Sequence, residues 1–153
     1  MSYTKGTIIA TIMEELSTLK EHIEAENYQE ALLLIDELEA MSKEDKLQKI
    51  RSYLTIVLVH LIKQSAEQRT TRSWDFSIRN AVREIKYVNK RRKSGRHYAS
   101  EAELGELVEE AYPAAIDKAS LEAFEGMYSE QEIEARFNVA EITQQALVLV
   151  SER

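Results

Sequence analysis

The chain has 153 residues and a formal charge of −7, and its length suits a single domain, since domains run to roughly 100–200 residues. It contains no cysteine, which excludes disulfides, thiolate catalysis and sulfur-ligated zinc or iron–sulfur centres. No apolar run approaches the roughly 20 residues that span a bilayer, and MSYTKGTIIATIMEEL passes into acidic helix-forming sequence with no small-residue cleavage site, so a cytoplasmic chain without membrane contact is expected.

Four glycines and one proline leave few breakers, and the periodicity is helical throughout. Ile8, Ile9, Ile12, Met13, Leu16, Leu19 and Ile23 recur at three- and four-residue steps, the stripe of an amphipathic first helix. Asn27 and Glu30 read as a capping box for a second helix, with Ala31, Leu32, Ile35 and Leu38 inward. Ser42 predicts the start of a third helix, with Glu44 and Asp45 set against its positive end. Residues 53–62, YLTIVLVHLI, are apolar around nearly the whole circumference, so this third helix is the expected buried centre. The pair around LKEHIEAENYQEALLLIDELEAM has a tetratricopeptide flavour, but no second copy follows to stack on it.

A fourth helix is predicted over about residues 74–92, with Ile78, Val82 and Ile85 on its core side. Ser100 and Glu103 form another capping box and open an acidic helix. Pro113 removes one of its hydrogen bonds and predicts a kink or break, and Gly126 reads as its stop. Ser129 with Glu132 opens a last segment, residues 129–153. Its stripe Ile142, Ala146, Leu149 and Val150 is expected to pack back or to exchange with a second copy. The predicted fold is all-α, one domain over residues 1–153 in a bundle of about six helices.

Charge is unevenly spread. Residues 69–96 hold ten Lys or Arg against Asp75 and Glu84, a net of +8, which leaves −15 for the rest. The densest part is YVNKRRKSGRH, and its basic surface comprises Lys86, Lys90, Arg91, Arg92, Lys93 and Arg96. Cations near a helix end complement the dipole, and residues 101–134 supply eleven carboxylates against Lys118 alone. Pairing within or between chains is therefore the favoured reading. Phosphate contact is the alternative, with Tyr87 and Tyr98 flanking the run as stacking surfaces. Arg92 and His97 also fit the Arg–x4–6–His spacing of the HEPN class of helical ribonucleases, although Lys93 stands where that class prefers Asn, Asp or His.

His60 lies within the buried run, and with no histidine at i+3 or i+4 it lacks metal-site spacing. It reads as a core histidine satisfied by Glu37 or Glu39 of a preceding helix. Nothing else in the sequence calls for a metal or cofactor, and no nucleophile elbow or phosphate-cradling glycine motif occurs.

LLIDELEAMSKEDKLQKIRSYLTIVLVHLIKQ, RTTRSWDFSIRNAVREI and the later EEAYPAAIDKASLEA carry a resemblance. Glu37, Glu39, Met41, His60, Leu61, Lys63, Arg72, Ser73, Trp74, Ile78 and Arg79 fall in the order and spacing of domain-of-unknown-function family 29. The chain resembles that family over about residues 28–126 and lacks the Pro-rich tail of its commonest members. The resemblance implies a helical protein and supplies no activity. Its residues bracket one hairpin, which predicts a polar cluster or small pocket of Glu37, Glu39, His60, Lys63, Arg72 and Arg79 under a Trp74 lid. The expected function is a non-catalytic, homo-oligomeric interaction protein with an unidentified protein partner. Nucleic-acid binding through residues 86–96 is the alternative, and a ribonuclease using Arg92 and His97 comes third.

Overall fold

The computed structural model describes residues 5–91 and 95–151. Among these residues there are six α-helices and no strand: α1 Lys5–Glu24, α2 Tyr28–Glu67, α3 Arg72–Asn89, α4 Glu101–Glu122, α5 Glu130–Glu134 and α6 Val139–Val150. The predicted all-α class holds. The chain divides into two units, residues 1–45 and 46–153, and each is described by itself.

The predicted count of six helices is reached by a different partition. The helix expected to begin at Ser42 is the continuation of the one before it, and α2 runs for 40 residues. Neither glycine nor proline lies between Tyr28 and Glu67. A serine in a helix interior costs only a fraction of a kcal/mol, too little to end a helix flanked by strong helix formers. At the other end of the chain the final segment is two helices, because Asn138 caps α6 by accepting from the Glu141 N–H at 3.2 Å.

In the amino-terminal unit, α1 turns into α2 through a left-handed corner. The Glu26 N–H donates to the Ile23 carbonyl at 3.1 Å and the Asn27 N–H to the His22 carbonyl at 2.8 Å. Glu26 itself has φ 62. This paired pattern satisfies the last carbonyls of α1 and is usually built on glycine.

In the second unit the core is centred on the carboxy-terminal part of α2. Ile50 is buried, as are Leu54, Val57, Leu58, Leu61 and Ile62 of the YLTIVLVHLI run, whereas Ile56 in the same run is 37% exposed, so the helix is not enclosed on every side. α3 adds Ala81 and Ile85, and α4 adds a row of small residues, Ala111, Ala115 and Ala119. On α6, Ile142, Ala146 and Val150 are buried, and the helix packs on α4 and α3. α4 continues through Pro113 without a break. Pro113 lacks the N–H that would bond the Glu109 carbonyl, and both residues lie on the exposed side of the helix.

α4 ends at Glu122, four residues before Gly126. Phe124, Glu125 and Gly126 all have positive φ, at 50, 58 and 76. A side chain at Gly126 would place its Cβ 3.0 Å from the Leu121 carbonyl oxygen, which explains a glycine there. Ser129 and Glu132 then form the predicted capping box of α5. No helix among the described residues is long and apolar enough to cross a membrane.

Candidate functional site

Three surfaces of the chain carry chemistry or contact potential. The first gathers part of the predicted polar cluster. Lys63, only 6% exposed, sits one turn after His60 on α2. Its ammonium donates to Glu122 Oε1 at 3.0 Å and lies 4.6 Å from the centre of the Trp74 ring. The Arg69 guanidinium is also 4.6 Å from that ring and donates to Glu67 at 3.1 Å. The His60 Nδ1 is buried with no hydrogen-bond partner. Burial, reinforced by the Lys63 charge, holds the imidazole below its ordinary pKa of 6.5 against the opposing pull of Glu122. His60 is thus a half-buried group whose neutral form is favoured.

The cluster therefore unites His60, Lys63 and Trp74. The carboxylate that closes it is Glu122, at the end of α4. Sequence reasoning missed it because nothing periodic or motif-like marks a glutamate 59 residues away. Glu37 and Glu39 lie in the other unit, on the first part of α2 rather than on a separate preceding helix. Beside the cluster is a cavity of about 340 Å³ with Trp74, Phe124 and Tyr128 in its wall. Its aromatic faces are covered by the chain's own cations, Arg69 on Trp74 and Arg136 at 4.6 Å from both Phe124 and Tyr128. Among the described residues no three His, Asp or Glu side chains are grouped to hold a metal ion.

The second surface is the outer side of α3. Thr71 caps this helix by accepting from the Trp74 N–H at 3.0 Å. Its inner side buries Ala81, Ile85 and Asn89. Arg72, Phe76, Arg79, Arg83 and Tyr87 are exposed. Their four- and three-residue spacing puts them within an arc of roughly 80° at about 100° per residue. Arg72 and Arg79 thus leave the predicted cluster and instead line, with Ser73, Asp75 and Phe76, a second cavity of about 530 Å³.

The basic run beyond α3 is clasped at its base. Buried Asn89 donates to the Ala99 carbonyl at 3.3 Å and accepts from the Ala99 N–H at 2.7 Å. Backbone bonds from Tyr98 to Asn89 and from Arg91 to Arg96 continue the closure, with a bridge between Lys90 and His97. The Arg91 guanidinium lies 5.0 Å from the Tyr98 ring, and Lys46 approaches the same ring at 5.9 Å. Lys90, Arg91, Arg96 and His97 are exposed, and Lys86 is half-buried. Arg92 and Lys93 lie outside the described residues, and with Arg92 so does the predicted ribonuclease pair. Ion pairs between α2 and α4 include Arg51 with Glu110 at 2.9 Å and Lys63 with Glu122. Arg72, Arg79 and Arg83 make no ion pair among the described residues.

The third surface belongs to α1. Ile9, Leu16 and Ile23 recur every seven residues and are about half exposed, while Ile12 and Leu19 between them are partly buried. Met13, beside the row, is 66% exposed. This alternation of three- and four-residue steps is the repeat of a coiled-coil seam.

A family model described as domain of unknown function DUF29 matches residues 9–145. No curated protein and no solved structure matches the chain.

Proposed function

The chain belongs to the DUF29 family, defined by sequence and attached to no activity, and from that premise we propose that it is a non-catalytic interaction protein that self-associates through α1. The observation that carries this reading is the exposed seven-residue row Ile9, Leu16 and Ile23 on a 20-residue helix. Apolar residues at that period are suited to the knobs-into-holes contact of paired helices. A second copy offers the same row, and a two-fold axis makes one row complementary to itself.

Charge sets a signature for this contact. Residues 1–45 contain three Lys or Arg and eleven Asp or Glu, a net of −8. Like charges around an apolar seam repel, and salt screens that repulsion over a Debye length of about 10 Å at 0.1 M. Association therefore strengthens as salt rises. Light scattering on the full chain, at low salt and at about 0.5 M, is the test. Leu16→Asp is expected to yield a monomer at both, whereas the unaltered chain gains mass with salt. A monomeric unaltered chain at every salt and concentration tested overturns the proposal.

A further inference from the structure

We infer that the outer face of α3 is a binding site for single-stranded nucleic acid, independent of the α1 row. The face alternates cation and aromatic: Arg72, Phe76, Arg79, Arg83 and Tyr87, with Lys90 following at the helix end. Phe76 is 55% exposed and Tyr87 67%. Large aromatics left in water on a helix that buries its opposite side are not core residues. The π-face of Phe76 accepts any unpaired base, and such stacking is tolerant of sequence. The arginines along the same face match phosphates, which they contact through a planar fork of donors.

Dimensions agree with this occupant. From Arg72 to Lys90 the helix rises about 27 Å, the span of roughly eight stacked nucleotides at one phosphate per about 3.4 Å of strand. The 530 Å³ cavity at the start of the row places Phe76 between Arg72 and Arg79, an arrangement for one base on the ring and a phosphate on either side. The acid in that cavity, Asp75, is already engaged, accepting from Gln64 at 3.1 Å and from Thr70 at 2.9 Å. A single strand is favoured over a duplex because paired bases offer no free face to Phe76. It is favoured over an acidic protein segment because carboxylates use the arginines and leave the aromatics without a role.

The probe is a labelled oligonucleotide of about twelve uridines, a length within known single-strand site sizes of about 4–16 nucleotides. Binding to the full chain is measured by anisotropy across a salt series, beside a duplex of the same length and a polyglutamate peptide. The unaltered chain is expected to prefer the single strand and to weaken with salt. Arg79→Gln with Arg83→Gln should lower the log–log salt slope by about 1.4, at about 0.7 per phosphate contact on single strands. Phe76→Ala should weaken binding by about five- to a hundredfold and leave that slope unchanged. Absence of binding at the lowest salt, indifference to all three substitutions, or equal preference for the duplex or polyglutamate overturns the inference. All three residues are exposed, so circular dichroism of each variant is expected to match that of the unaltered chain. Light scattering on the same variants separates this result from the α1 seam, which they leave intact.

Discussion

Lys63 is a buried cation whose partner stands partly in water: its side chain is 8% exposed against 37% for Glu122. Removing the partner strands the charge, while removing the charge releases the glutamate to solvent. Glu122→Gln is accordingly expected to cost about 1–3 kcal/mol, and Lys63→Met less than about 1 kcal/mol, in urea unfolding. His60 makes a second prediction at this scale, and it concerns pH. Its folded pKa lies below the unfolded value of about 6.5, so the unfolded state takes up the proton first. The stability it contributes is complete above about pH 6.5, falls as the pH drops below that, and levels off once the folded pKa is passed. Lys63 and Lys118 oppose the protonated ring and Glu122 favours it. His60→Leu should remove this part of the acid dependence and change the midpoint of thermal unfolding little above neutrality.

At the scale of elements, helix ends show where stability is withheld. Glu26 and Gln68 close α1 and α2 in the left-handed region, at φ 62 and 53. A residue with a Cβ pays about 1 kcal/mol or more to sit there, and glycine does not. Glu26→Gly and Gln68→Gly are each expected to raise stability by about 0.5–1 kcal/mol, read as a higher denaturant midpoint at unchanged slope. The same corners explain what was legible in the sequence. Helix starts carry side-chain signals, and the Ser100, Ser129 and Asn27 starts were readable. Helix stops here fall on Glu26, Gln68 and Phe124, which carry none. Ser42 shows the converse, a cap residue with no cap to make. The apolar run at 53–62 located the core because burial demands composition. Glu122 and the exposed row on α3 were not legible as a site, because one depends on a contact between distant helices and the other on which side of α3 faces the core.

For the whole molecule, the two proposed surfaces respond to salt in opposite directions. The α1 seam is apolar with acidic surroundings, and screening helps it. The α3 face is cationic, and counterion release makes its binding fall with salt. One salt series on one protein therefore separates them without any substitution. The division of charge that underlies this also matters at the bench. With −8 in residues 1–45, the remaining 108 residues carry +1 of the chain's −7. A proteolytic clip between the units thus converts an anion into a nearly neutral fragment: an anion exchanger that retains the intact chain lets residues 46–153 pass, and the break announces itself by charge as well as by size.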